Sequence, residues 1–176
     1  PDDPVEGTVY YLEGSTNAAK GQQWLRKRQL FVDGGSVALS EDELNAWVAG
    51  SKTAADKPLT VGAAGVSAPL IAAGVPNFRI HNGVFQIALP CTFNVLGLSE
   101  AVIVQALGGF VKEGGEFVFE PSRFYVGSCP LQDLPGVSLI FRRFAALQEV
   151  PPDVAEAWKK LAGASVEGGW LRLKMP

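Results

Sequence analysis

From Phe85 to Val95 apolar and polar positions alternate with the two-residue period of a half-buried strand. Phe85, Ile87, Leu89, Cys91, Phe93 and Val95 fall on one face, and Gln86, Ala88, Pro90, Thr92 and Asn94 on the other. Apolar runs return from Leu98 to Leu107 and from Glu116 to Val126, separated by short Gly-containing connections. Before them, Asn82-Gly83 is the dipeptide of a type I′ hairpin, with β-prone residues on both sides. The pattern predicts a meander of long antiparallel strands over residues 82–126, with Phe117 and Phe119 sharing a face and with Gly108-Gly109 and Gly114-Gly115 as tight turns. Two prolines interrupt it. Pro90 has no N–H to give a ladder, which predicts a bulge or a locally unpaired edge, and Pro121 predicts a break in register before Phe124, Tyr125 and Val126.

Outside this region the period lengthens. Gly14-Ser15-Thr16-Asn17 supplies turn and N-cap chemistry for a helix from about Asn17 to Gln29, with a thin stripe of Ala18, Trp24 and Leu25. Arg26-Lys27-Arg28 then forms a basic last turn that suits the helix dipole, with a lipid-headgroup or partner contact as the alternative. Leu30-Phe31-Val32 and Val37-Ala38-Leu39 are expected as brief strands. Ser40-Glu41-Asp42-Glu43 is a capping box, and Leu44, Trp47 and Val48 follow at helical spacing. A helix start at Asp133-Leu134-Pro135-Gly136 leads to Val137, Ile140, Phe141, Phe144 and Leu147 on one stripe. Pro151-Pro152 opens a further helix with Val154, Ala157, Trp158 and Leu161 inward and Gly163 as its stop. The closing strand, 170–175, alternates Trp170, Arg172 and Lys174 with Leu171, Leu173 and Met175. Residues 9–12 are a short β-prone run expected at a sheet edge, and residues 1–8 a tether or frayed end. Residues 53–77 are rich in Ala, Gly and Pro without a period, which leaves a flap or short strands as the readings.

At 176 residues, with 47% hydrophobic and 19% charged positions, the chain fits one α+β domain over 1–176: a long, curved antiparallel meander packed against three to four helices. A net charge of −3 gives no basic footprint, so nucleic acid is not an expected partner. The least polar run, 61–76, is short for a membrane span and is interrupted by Gly65, Pro69 and Gly74. The chain begins at Pro1 without an initiator Met, and a signal or membrane anchor before Pro1 is an expectation.

Candidate chemistry is sparse. His81 is the one histidine, and no GxSxG, HxxxH or CxxC spacing accompanies it. It reads as a turn residue. Cys91 and Cys129 read as buried free thiols. Asp56, Asp133, Glu149 and Asp153 sit near loops and read as caps or solvated charges. No catalytic residue, metal ligand or cofactor is assigned.

The order of elements carries one resemblance. Leu39-Ser40-Glu41-Asp42-Glu43-Leu44-Asn45 at a helix start, the long meander, Phe119-Glu120-Pro121-Ser122 running into Val126-Gly127-Ser128, and two apolar helices together resemble bacterial exported proteins related to the tubular lipid-binding fold. The resemblance covers roughly residues 37–147. It implies a curved sheet wrapped around a helix with an apolar groove, in an extracytoplasmic or periplasmic, membrane-proximal setting. Combined with ten Phe and four Trp, it leads to the expectation of a non-enzymatic module that binds a lipid or other apolar ligand between sheet and helices. The groove would be lined by Phe85, Ile87, Leu89, Phe93, Phe117, Phe119, Phe141 and Phe144. The alternative is a structural or protein-interaction subunit of an envelope assembly, with a filled core and no ligand. What separates the two is whether Phe85, Ile87, Leu89, Phe93, Phe117 and Phe119 are all covered by the chain's own helices.

Overall fold

The computed structural model describes residues 11–50, 71–95, 98–131 and 150–176. Asn17 is extended, and its side chain accepts the Ala19 N–H at 3.0 Å, opening a 3₁₀ turn (Ala18–Lys20) that runs into helix α1 (Gly21–Val32). The helix ends three residues later than expected, and residues 30–32 form its last turn instead of a strand. Trp24 and Phe31 are seven residues apart, two helical turns, so both are buried on one stripe, which overrides the β-prone composition of Leu30-Phe31-Val32. The basic triplet is therefore in mid-helix. Lys27 turns to Glu43 at 2.7 Å and Arg28 to Asp153 at 2.6 Å, so ion pairs within the chain take the place of the expected basic last turn.

Strand β1 (Val37–Ser40) leads directly into α2 (Glu41–Gly50) through the expected capping box. The Ser40 hydroxyl accepts the Glu43 N–H at 3.3 Å, and a Glu43 carboxylate oxygen accepts the Ser40 N–H at 2.9 Å.

The meander comprises β2 (Ile71–Ala73), β3 (Asn77–His81), β4 (Val84–Val95), β5 (Leu98–Glu113), β6 (Glu116–Val126) and β7 (Cys129–Pro130), in the order β2-β4-β5-β6-β7 with β3 also on β4. Asn82 (φ 50°) and Gly83 (φ 74°) make the predicted turn between β3 and β4. β3 pairs with residues 84–88 and β2 with 91–93, so the gap between them falls beside Pro90. Its carbonyl accepts the Gly74 N–H at 2.7 Å, and its missing N–H breaks no ladder bond. The unpaired edge is thus present, whereas no bulge forms: pairing with β5 is continuous from Phe85 to Val95.

The break expected at Pro121 is there. Leu107 pairs with Arg123 and Gly108 with Pro121, leaving Ser122 as the extra residue, whose hydroxyl donates to the Leu107 carbonyl at 3.1 Å. Gly108-Gly109, expected as a tight turn, instead lies inside β5. The bulge brings the β6 backbone so close that a Cβ at Gly108 would sit 2.0 Å from the Glu120 carbonyl oxygen. Gly114-Gly115 does form the β5–β6 turn.

The last part of the chain holds α3 (Pro152–Lys159), β8 (Gly163–Glu167) and β9 (Trp170–Lys174). α3 ends at Lys159, and Gly163, expected as its stop, is instead the first residue of β8. Gly168 and Gly169, at φ 55° and 81°, fold β8 back onto β9. β1 pairs with the other edge of β9, giving a separate three-stranded antiparallel sheet, β1-β9-β8, that the single-meander expectation did not contain. The architecture is α+β: an antiparallel meander, a small antiparallel sheet and, among the described residues, three α-helices.

One core joins these parts. It is built from Trp24 and Phe31 of α1, Leu44 of α2, Ala157 of α3, Val37, Leu39, Leu171 and Leu173 of the small sheet, and Ile80 and Phe85 of the meander. Tyr11 and Leu12 are irregular, so the part of the expected 9–12 strand that is described is not a strand. The tether over 1–8, residues 53–70 of the aperiodic connection, and the helix expected over 137–147 lie outside the described residues. Among the described residues no helix is long and apolar enough to cross a membrane.

Candidate functional site

Directly paired residues share a face of the sheet, so the register fixes what stands beside the candidate groove residues. Phe85, Ile87, Leu89 and Cys91 share theirs with Val102, Val104 and Ala106 of β5 and with Phe124 and Val126 of β6. Beyond the bulge the β5–β6 pairs are Phe110 with Phe119 and Lys112 with Phe117. Phe85 is 3% exposed. Its ring centroid lies 5.7 Å from Phe78, 5.4 Å from Phe110 and 5.9 Å from Phe119, and Phe110 in turn stands 5.8 Å from Trp158 of α3. The Trp158 indole N–H donates to the Phe117 carbonyl at 2.6 Å, pinning α3 on β6. Phe85, Ile87, Phe117 and Phe119 are therefore brought together in one cluster that the chain's own aromatics fill. Leu89 shares the face without joining that cluster and is half-buried. The side chain of Phe93, together with Phe141 and Phe144, lies outside the described residues.

Sequence reasoning missed the polar contacts around this cluster. The free edge of β3 is closed by side chains of α2 in place of another strand: Glu41 accepts the Ile80 N–H at 2.8 Å, and Asn45 exchanges two hydrogen bonds with the Phe78 backbone, 2.7 Å and 2.8 Å. The fit is geometric. Four residues of helix rise about 6 Å and two residues of strand about 6.8 Å, so Glu41 and Asn45 match Ile80 and Phe78. Glu41 also accepts from the Ser15 N–H and hydroxyl. Burial pushes the Glu41 carboxyl upward, but the Ile80 and Ser15 amides, the Ser15 hydroxyl and the charge of Arg79 outweigh it, and the net shift is downward. Gly14 belongs to the same corner: its N–H donates to the Asn77 side chain at 2.7 Å, and a Cβ there would come 1.8 Å from the Phe78 carbonyl oxygen.

The edge of β1 is closed in a similar way. Glu43, 1% exposed, holds the Ser40 N–H, while its salt-bridge partner Lys27 donates to the Ala38 carbonyl at 2.6 Å. An outward β1 edge blocked by a charge pair offers no template for another strand.

On the outer face of the small sheet, Trp170, Arg172 and Lys174 of β9 are exposed beside Ala38 of β1 and Ser165 and Glu167 of β8. Two adjoining grooves of about 350 Å³ and 540 Å³ lie here and share Ser36, Val37, Ala38 and Arg172. The smaller reaches Leu30 and Trp170, with the Lys27 ammonium 5.1 Å from the Trp170 ring centroid. Alternation in 170–175 indicated a wet side, but no local pattern showed that α1 would supply its wall.

Among the described residues no three His, Cys, Asp or Glu side chains cluster as metal ligands. His81 is exposed at the end of β3. Cys91 is buried and burial pushes its thiol up, whereas Cys129, expected inside, is exposed because β7 is two residues long. Both are free thiols. Comparison of the chain with protein-family models, with curated proteins and with solved structures returns no match.

Proposed function

We propose that the protein is a non-enzymatic structural or protein-interaction subunit of an extracytoplasmic envelope assembly, and that its meander packs on its own helix and small sheet instead of enclosing a lipid. The observation that carries this reading is Phe85. This one of the expected groove residues is 3% exposed and is ringed by Phe78, Phe110 and Phe119 of the same chain. At that position the chain's own side chains leave no room for a ligand. The extracytoplasmic setting rests on the resemblance carried by residues 39–45 and 119–128.

Native mass spectrometry of the full chain after incubation with phosphatidylethanolamine–phosphatidylglycerol vesicles tests the proposal. The bare chain mass is expected, and a stoichiometric retained lipid overturns it. Phe85→Ala should cost about 3–5 kcal/mol of unfolding free energy, the usual loss for a buried Phe, measured by urea denaturation.

An apolar ligand between sheet and helices is the second reading. What favours it is the far end of the same face, where Leu89, Val102, Val104 and Val126 are half-buried. The same spectra separate the two, since retained lipid supports the second reading and sinks the first.

A further inference from the structure

The smaller groove on the outer face of the β1-β9-β8 sheet differs in its chemistry from the aromatic core. Its walls and floor are Leu30, Val37, Ala38 and Trp170, its polar members are Ser36, Lys27 and Arg172, and among the described residues no carboxylate lines it, Glu167 lying in the adjoining groove. The two cations are not equivalent. The Lys27 ammonium, 5.1 Å from the Trp170 ring centroid, is committed to Glu43 and to the Ala38 carbonyl, so its charge is balanced and it is not a free donor. Arg172 is held loosely: among the described residues its ion-pair partner is Glu167, 3.5 Å from its Nε, and both side chains are more than half exposed. A guanidinium has five N–H donors in a planar fork, so a single long contact leaves most of them for a planar anion.

We infer that this groove binds a small monocarboxylate with an apolar body, the carboxylate on the Arg172 guanidinium and the body between Leu30 and Trp170. The groove has a volume of about 350 Å³ and is largely open to solvent, so it covers only part of a small ligand. An apolar floor with one available guanidinium suits a singly charged carboxylate better than a strongly hydrated phosphate dianion. Glu167 then acts as a built-in competitor, releasing Arg172 when ligand arrives. The inference does not depend on the assignment of the protein as an interaction subunit, because the groove is separate from the Phe85 face.

The test is a titration of the full chain with phenylacetate, and in parallel with its neutral analogue 2-phenylethanol, followed by backbone amide NMR shifts at Ala38, Trp170 and Arg172. Saturable shifts confined to the groove are expected with phenylacetate, and binding of the alcohol should be about 1.4- to 5-fold weaker, the range of one exposed charge contact. Arg172→Gln should weaken phenylacetate by the same factor and leave the alcohol unchanged, while Glu167→Gln should tighten phenylacetate. Both side chains are more than half exposed, so an unchanged melting temperature shows that the variants fold. Shifts that stay linear in phenylacetate, equal affinity for the alcohol, or indifference to Arg172→Gln would each overturn the assignment.

Discussion

Glu41 and Glu43 stand two positions apart in the first turn of α2 and serve different strands. Glu43 closes the capping box and, with Lys27, seals β1, whereas Glu41 reaches the backbone of β3. Because the Glu41 carboxyl is lowered in the folded chain from its ordinary 4.5, its contribution is complete above that value and is lost as pH falls through the folded-state pKa. Glu41→Gln should therefore destabilise at pH 7, with the gap to wild type narrowing by pH 3 in urea unfolding. Glu41→Ala strips the Ile80 N–H of its acceptor and should cost about 1–3 kcal/mol at pH 7. The thiols give a second expectation: iodoacetamide should modify exposed Cys129 in the native protein and buried Cys91 only on unfolding, as read by peptide mass. The capping box was legible because its donors and acceptors lie within four residues. Glu41 and Asn45 were not, because their partners are 39 and 33 residues away and no local spacing encodes them.

Strands followed the sequence most closely where alternation and turn residues agree. The hairpins through Asn82-Gly83 and Gly114-Gly115 show this, and so do the two prolines, each of which marks a real irregularity on one side of a strand. Elements whose limits depend on packing or pairing with another element were misjudged. α1 continues through Phe31 because that ring reaches the shared core, and β8 starts at Gly163 because β9 is there to pair with it. Gly108 is the sharpest case, since two glycines in mid-strand suggest a turn until the β6 bulge shows why one of them has no side chain. Gly108→Ala would place a Cβ 2.0 Å from the Glu120 carbonyl oxygen and must displace β6, at a cost of about 1–3 kcal/mol or more. Gly109→Ala meets nothing within 4 Å and has an ordinary backbone, so it should be neutral or stabilising by up to about 1 kcal/mol. Paired chemical denaturation of the two variants separates close approach from turn geometry, because a turn would penalise both.

At the scale of the whole molecule, the unforeseen feature is that the chain closes its fold with a second sheet. Alternation in 170–175 showed that the last strand has an apolar side, but a period of two does not say which strand lies beside it, and β1 is 130 or more residues earlier in the chain. Leu171 and Leu173 point into the same core as Phe85, Ile80 and Trp24, so the small sheet covers the meander instead of standing beside it. This coverage ties the stability of the two sheets together. Leu171→Ala should cost about 2–5 kcal/mol, and if the core is one cooperative unit the slowest-exchanging amides of β4, in the other sheet, should lose protection by the same amount as those of β9. Native-state hydrogen exchange would read this directly. A loss confined to β8 and β9, with β4 unchanged, would show that the small sheet opens alone; the Phe85 face would then become accessible from that side without global unfolding, and the filled core would turn into a groove with a removable cover.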